Sequence, residues 1–251
     1  MVKIFMCNDS VEGIFSAIYD AWESRNGHSN NRIRINSEET MELFCEYIFV
    51  KEDEVKTEKV IRTVRRKMGE EAYEIVMKAA LSCDLKKADL IYRYLILGLQ
   101  LGRKVTDYLS DYSVRRVFEL ARSVGNEAHH LFGFVRFREL KDDVLFSRIE
   151  PKNQVISILA DYFADRLATE KWVILDTRHK TACFYAKECG WFLMNVEERI
   201  DMFKNDLSER EKEFESLWKC FFEHIAVRER KNSSLQRQNL PLRFRNDMPE
   251  F

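Results

Sequence analysis

Glycine and proline are both scarce in this sequence, with 8 glycines and 3 prolines among 251 residues. Because these residues form tight turns and interrupt helices, their scarcity disfavours turn-rich all-β architectures and favours long helices. The six cysteines include no C-x-x-C pair, and a chain of this length can build a core without a disulfide framework. We therefore expect reduced cysteines and a cytoplasmic protein.

The sequence also lacks a long uninterrupted hydrophobic run. Its most apolar internal stretch, residues 90–101, contains Arg93 and Gln100 and is much shorter than the ~20 residues that a bilayer requires. The apolar run at residues 2–6 is too short for the core of a signal peptide. We expect no membrane partner.

Sequence motifs of the common catalytic and cofactor sites are absent. There is no G-x-x-x-x-G-K-[ST], G-x-G-x-x-G, G-x-S-x-G or H-E-x-x-H sequence. These absences disfavour phosphate-loop hydrolases, dinucleotide-binding enzymes, serine hydrolases with a nucleophile elbow and zinc proteases. We expect no cofactor and no tightly bound structural metal.

The composition indicates a protein with a packed core, since 45% of residues are hydrophobic and 12% are aromatic. Helical and strand periodicities predict a single α+β domain over residues 1–251 with a helical middle, a small antiparallel sheet region and a C-terminal helix that packs against the core. Its four regions are an N-terminal β-α-β at 1–56, helices at 57–132, a β-β-α-β-β-β unit at 133–195, and a helix with a basic tail at 196–251.

Local signals position several of these elements. Thr57 and Asp84 are candidate helix N-caps, and a further helix is expected to begin near Asp111 or Ser113. Ser208 opens a capping box for the last long helix. Its apolar stripe consists of Phe214, Leu217, Trp218, Phe221, Phe222 and Ile225.

The densest polar cluster is Glu127-Ala-His129-His130, which precedes a predicted strand at residues 134–140. Alternation along this strand would place Arg136 and Arg138 on one face. The histidines and Glu127 could then supply acid-base catalysis while the arginines stabilise an anionic phosphodiester. Alternatively, Glu127 and His130 form a surface pair and the histidines cap the helix.

A second titratable pair, Asp176 and His179, falls at the end of a predicted strand. This pair could bind a metal or act in acid-base chemistry. A solvated hairpin turn explains the same spacing.

The chain carries 41 Lys and Arg residues against 42 Asp and Glu residues, so any polyanion site must be a local patch. The region 226–245 is such a patch, with one acid, Glu229, among six cations. Cations interspersed with amides and aromatics are typical of surfaces that bind phosphates and bases. The alternative is a solvated helix end. The cations are Arg228, Arg230, Lys231, Arg237, Arg243 and Arg245.

The order of several sequence segments resembles a bacterial family assigned to DNA metabolism or DNA repair, whose biochemical activity is unknown. The resemblance covers nearly the whole chain and is most specific at residues 127–151 and 225–241. It rests on SVEG at 10–13, YLILGLQLGRKV at 94–105, EAHHLFGFVRFREL at 127–140, RIEP at 148–151 and IAVRERKN at 225–232.

The resemblance implies a nucleic-acid context. Members of this family look like companions of a radical S-adenosylmethionine (radical SAM) protein of DNA modification or repair, and a similar domain is fused to uracil-DNA-glycosylase-like domains. This chain has no C-x-x-x-C-x-x-C sequence, so it is not itself expected to carry that iron–sulfur cluster.

Three functions follow from these observations. The first is a DNA-binding accessory to a radical SAM protein of DNA modification or repair. The second is an enzyme that acts on DNA or a modified nucleotide through the histidines, Arg136 and Arg138. The third is a protein-interaction scaffold whose basic tail binds an acidic partner surface.

Overall fold

Main-chain contacts in the computed structural model divide the chain into two units, Met1–Asn126 and Glu127–Phe251. Each unit has its own β-sheet and several helices, which makes the fold α+β as predicted. The single domain expected over residues 1–251 stays a prediction. The structure describes residues 1–36, 42–141, 143–196, 207–245 and 248–249, without the side chain of Arg228.

The first unit contains a parallel sheet in the order β2-β1-β3. The predicted β-α-β arrangement of residues 1–56 lacked one of these strands, β2. Its sequence NRIRI alternates, with Ile33 and Ile35 buried and Arg32 exposed, so a period-two signal was present but too short to stand out. The strands are β1 (Val2–Cys7), β2 (Asn31–Ile35) and β3 (Cys45–Phe49).

The first two helices of this unit begin where side-chain oxygens meet free backbone N–H groups. The backbone N–H of Gly13 donates to Ser10 Oγ (2.9 Å) at the start of the first helix. The second helix begins earlier than expected, because Asp53, and not Thr57, accepts a hydrogen bond from the Lys56 backbone N–H (3.0 Å). The helices are α1 (Val11–Glu23), α2 (Glu54–Met68), α3 (Glu70–Ala80) and α4 (Lys87–Leu101).

A hydrophobic core joins this sheet to its helices. A fully buried charge lies in the same unit: the Lys87 ammonium donates to the Ser82 carbonyl (2.5 Å) and pairs with the Asp9 carboxylate (2.6 Å). Burying an ammonium is costly unless it is paired and hydrogen-bonded, so these contacts tie the start of α4 to the loop after β1. Large buried core residues include Phe5, Phe15, Ile14, Met68, Ile91, Tyr92 and Tyr94.

A fifth helix, α5 (Tyr112–Phe134), begins in the first unit and ends in the second. Its start agrees with the prediction, because Asp111 Oδ1 accepts hydrogen bonds from the backbone N–H groups of Ser113 (2.8 Å) and Val114 (3.1 Å). Its end lies two residues beyond the predicted helical region, and Phe134 therefore belongs to a helix and not to a strand.

The second unit contains a five-stranded sheet in the order β4-β5-β6-β7-β8. The β-β-α-β-β-β order is confirmed, but the sheet is mixed and not antiparallel: β5 and β6 are parallel. These two neighbours are joined by a helix, α6, and such a crossover connection pairs strands in parallel. The elements are β4 (Arg138–Glu139), β5 (Val144–Ile149), α6 (Ile156–Arg166), β6 (Lys171–Asp176), β7 (Thr181–Ala186) and β8 (Gly190–Asn195).

The C-terminal helix α7 (Glu209–Ile225) begins as predicted, since the Glu211 backbone N–H donates to Ser208 Oγ (3.0 Å). The expectation that it packs against the core is wrong, because none of its residues is buried. Its apolar stripe faces outward, with Leu217 69% exposed. A short helix, α8 (Ser233–Asn239), follows and is capped by Asn232.

All six cysteines are free thiols. Burial raises the pKa of the Cys7 thiol to about 12. Among the described residues, no helix is long and apolar enough to cross a membrane.

Replacement of Asp111 by alanine tests the start of α5. Hydrogen bonds from Ser113 hold the pKa of the Asp111 carboxyl below its ordinary value. Asp111→Ala should lower the free energy of unfolding by about 1 kcal/mol at neutral pH, the usual effect of losing an N-cap. A group whose pKa falls on folding stabilises the protein above the pKa it has when unfolded, here near 3.8, and loses that effect as the pH falls through its folded pKa.

Urea unfolding at pH 7 and below pH 4 would measure this effect. The difference between Asp111→Ala and the wild type should narrow at the lower pH. Asp107→Ala is the matched control, because Asp107 is exposed and its carboxylate caps no helix among the described residues. A pH-independent difference, or an equal loss in the control, would contradict the capping role.

Candidate nucleic-acid interface

The candidate residues near the end of α5 differ in exposure. Glu127 is 4% exposed and is buried together with Val124 and Leu131, which lie three residues before it and four after it. His129 and His130 are exposed. The alternative interpretation of Glu127 and His130 as a surface pair is therefore wrong.

The Glu127 carboxylate accepts three hydrogen bonds from the loop that follows β5. The backbone N–H of Lys152 donates to Oε1 (3.0 Å), and the backbone N–H (2.8 Å) and side-chain amide (2.7 Å) of Asn153 donate to Oε2. A buried carboxylate without such donors would be strongly unfavourable. Glu127 therefore fixes this loop against α5.

Arg243, from the basic tail, completes the surroundings of this carboxylate. Its Nη2 atom lies 3.5 Å from Glu127 Oε1, and its guanidinium lies over the Phe244 ring, 4.6 Å from the ring centroid. Arg243 remains exposed on its other side. The ion pair and the cation–π contact thus hold one end of the basic tail next to the end of α5.

Three aromatic rings cluster beside Arg243. The His130 and Phe134 rings are stacked, with centroids 5.7 Å apart and an interplanar angle of 12°. The Phe244 ring lies 5.3 Å from Phe134 and 6.2 Å from His130. We call His130, Phe134, Arg243 and Phe244 the aromatic–arginine cluster.

The structure separates the two histidines. The ring of His129 packs edge-on against Phe132 at 6.4 Å, and Phe132 in turn stacks on Tyr162 at 4.1 Å. His130 alone joins the cluster. The structure therefore brings together Glu127, His130 and Arg243 from the predicted site residues.

Arg136 and Arg138 have other contacts. Because β4 is limited to Arg138 and Glu139, the predicted strand face that would display both arginines does not form. Arg136 donates to the carbonyls of Gly133 (2.9 Å) and Val135 (3.3 Å), at the C-terminal end of α5. Arg138 Nε lies 3.3 Å from Glu215 Oε1 on α7.

The rest of the basic tail is largely open to solvent. Arg230, Lys231 and Arg237 are exposed, and Arg237 Nε donates to the Ser233 carbonyl (3.2 Å). Arg228 lies in a short 3-10 turn, but its side chain is outside the described residues. Exposed cations at this spacing can contact successive phosphates without first breaking a buried ion pair.

The Asp176 and His179 pair is more than a solvated turn. Asp176 is fully buried at the end of β6 and accepts hydrogen bonds from the backbone N–H groups of Arg178 and His179, both at 3.0 Å. His179 Nδ1 lies 2.6 Å from Asp176 Oδ2. The carboxylate therefore organises the β6–β7 turn and orients the imidazole at the same time.

No group of three or more histidine, cysteine or acidic side chains in the described part of the chain could hold a metal ion.

Sequence reasoning missed the two phenylalanines of the cluster. Phe134 was assigned to a strand, and Phe244 lies 110 residues away in the tail. Sequence alone signals such a contact only weakly, through an aromatic residue next to an arginine in a polar segment.

Comparison with known proteins places the chain in a family. A model described as a domain of unknown function, DUF4130, matches residues 85–250. The chain belongs to this family. No curated protein matches the sequence. The DUF4130 match includes α4, α5 and the second unit with its aromatic–arginine cluster, while the sheet of the first unit lies before it.

Replacement of Glu127 by alanine tests whether its carboxylate stabilises the fold. Glu127→Ala should lower the free energy of unfolding by about 2–4 kcal/mol, because it leaves the donors of Lys152 and Asn153 and the Arg243 guanidinium without their acceptor. His130→Ala and Arg136→Ala should cost well under ~1 kcal/mol and leave the fold intact.

Urea unfolding followed by circular dichroism measures these differences. His129→Ala is the matched control, since His129 lies on the same turn of helix but outside the cluster, and it should change stability by less than about 0.5 kcal/mol. If Glu127→Ala proved as mild as His129→Ala, the carboxylate would not be the anchor of the loop and tail.

Proposed function

We propose that this member of the DUF4130 family is a DNA-binding accessory protein of a DNA modification or repair process. The observation that supports this most directly is the aromatic–arginine cluster. It joins the exposed His130 ring and the half-buried rings of Phe134 and Phe244 to a guanidinium that pairs with Glu127. Exposed cations of the tail, Arg230, Lys231 and Arg237, extend the positive surface along the chain.

The chemistry of the cluster suits a single strand or an unstacked base. Aromatic side chains stack on bases whatever their identity, and arginine contributes both a charge for phosphate and a plane for stacking. His130 and Phe134 are already stacked, so little side-chain freedom is lost when a base is added. Such a surface binds nucleic acid without reading sequence strongly.

The charge distribution supports local binding. The whole chain has a formal net charge of −1, so it offers no long-range attraction to a polyanion. The contacts must therefore come from the tail, where six cations accompany one acid between residues 226 and 245. Binding of this kind depends on counterion release and weakens with salt.

An enzymatic role through Glu127 has less support. Its two oxygens already accept three hydrogen bonds and pair with Arg243, so the carboxylate is poorly placed to exchange a proton with a substrate. An enzyme would have to rely on His130, which lies against Phe134 and Phe244. The proposal therefore assigns binding and not conversion to this surface.

The exposed apolar face of α7 favours the scaffold as a second candidate. Phe214, Leu217, Phe221 and Ile225 are each more than half exposed on one helix. Monomeric proteins rarely expose contiguous apolar patches of more than a few hundred Å², and larger patches mark protein contacts. A radical SAM protein is the partner that the family resemblance suggests. A stable complex with such a protein that survives added DNA would favour the scaffold.

The first prediction of this proposal concerns salt. If ~4 cations neutralise phosphates, the binding constant for duplex DNA should fall with a log–log slope of about −3 to −4. Replacing Arg230, Lys231 and Arg237 together with alanine should flatten this slope by up to ~3 units. Fluorescence anisotropy of labelled DNA across a salt series measures both slopes.

The matched control removes three exposed lysines elsewhere. The variant Lys51→Ala, Lys171→Ala, Lys187→Ala changes the net charge equally but leaves the tail intact. It should retain the wild-type slope. Equal slopes for the wild type and the tail variant would move the site elsewhere, and no binding at low salt would favour the scaffold.

The second prediction concerns stacking. Phe244→Leu keeps an apolar side chain but removes one ring of the cluster. It should weaken binding of a single-stranded oligonucleotide roughly tenfold, within the range for loss of one base–aromatic stack, without changing the salt slope. Phe132→Leu is the matched control, because Phe132 stacks on Tyr162 outside the cluster. Similar affinities for the two variants would exclude stacking on Phe244.

A further inference from the structure

A groove lies between the helices of the first unit, and none of its lining residues belongs to the proposed DNA interface. Its volume is about 550 Å³, which is within the range of small-molecule sites. Helices α1, α2 and α4 line its apolar floor with Ile18, Val60, Val64 and Leu95, all of them buried. These apolar side chains can contact a ligand, but they do not determine its orientation.

Aromatic rings form one wall of the groove. Trp22 is 41% exposed, and its ring packs against the His28 ring, with the two ring centroids 4.4 Å apart. His28 is held in turn by Tyr92, since its Nδ1 atom lies 2.9 Å from the Tyr92 hydroxyl. Tyr92 is fully buried, so the indole is supported by a rigid part of the unit. An exposed ring held in this way is preorganised for stacking.

Cations border the groove. Lys59 Nζ lies 5.2 Å from the centroid of the Tyr19 ring, which also lines the groove, and Arg25 follows α1 at the rim. The Arg25 guanidinium makes no hydrogen bond or ion pair with any described residue, and its backbone is in the left-handed region with φ at 49°. Glu23 is the one acid among the lining residues. The rim therefore carries a net positive charge and an unused guanidinium.

We propose that this groove binds a small planar aromatic anion. The ring of the ligand would stack on Trp22 over the apolar floor, and its carboxylate, sulfonate or phosphate group would meet Arg25 and Lys59. Charge complementarity favours an anion over a neutral ligand, and the volume favours a small molecule. This site is independent of the proposed DNA binding, because all of its residues belong to the first unit.

Titration with 8-anilinonaphthalene-1-sulfonate, an aromatic anion that fluoresces in apolar surroundings, tests the proposal. The wild type should bind one equivalent saturably. Trp22→Ala should weaken this binding about tenfold through loss of the stacked wall. Arg25→Gly should weaken it about fivefold, and glycine suits the positive φ of this position, so the fold is retained.

Two controls make the result specific. N-phenyl-1-naphthylamine has the same ring system without the sulfonate, and Arg25→Gly should leave its binding unchanged. Phe214→Ala removes an exposed apolar ring in the second unit and should leave binding of the anionic probe unchanged.

Three results would overturn the proposal. One is the absence of saturable binding, and another is loss of binding in Phe214→Ala but not in Trp22→Ala. The third is equal binding of both probes with no effect of Arg25→Gly, which is the behaviour of a groove for an apolar helix of a protein partner.

Discussion

The buried carboxylate of Glu127 is the interaction on which the described part of the second unit most depends. A charge removed from water requires donors, and here they come from two distant parts of the sequence: the loop at Lys152 and Asn153, and the tail at Arg243. The contacts of this one carboxylate thus bring together the end of α5, the loop between β5 and α6, and the C-terminal segment. No hydrophobic contact could specify this arrangement as narrowly, because apolar packing has no direction.

The aromatic–arginine cluster is a consequence of that arrangement. Arg243 is held against Glu127, and its neighbour Phe244 therefore lies beside His130 and Phe134. Glu127 is buried and His130, three residues later on α5, is exposed, so this turn of the helix both holds the tail and leaves a ring open to solvent. In the proposed function, Glu127 would hold the tail and its neighbour His130 would contact the nucleic acid.

The first unit also contains a buried charge that is compensated by groups from another part of the chain. Lys87 is fully buried, and its ammonium is compensated by Asp9 and the Ser82 carbonyl, which join α4 to the loop after β1. A groove lies between α1, α2 and α4 of the same unit. The polar rim and the braced Trp22 ring distinguish this groove from a simple packing defect.

Much of the fold was determined by the sequence alone. Helix starts at Asp111 and Ser208, and the order of elements from β5 to β8, follow from caps and side-chain periods, which are local properties. Local patterns failed where length or context decided the outcome. The short strand β2 was missed, α5 continued through Phe134, and α7 presented its apolar stripe to solvent.

For the candidate site, the sequence singled out Glu127, His130 and Arg243, but it did not show which of them lie close together in space. Only the tertiary structure decided that Glu127 is an anchor, that His130 and not His129 joins the cluster, and that Arg138 pairs with Glu215. The physical reason is that the period of a helix tells which residues share a face. Which distant groups meet there depends on satisfying buried charges across more than a hundred residues of chain.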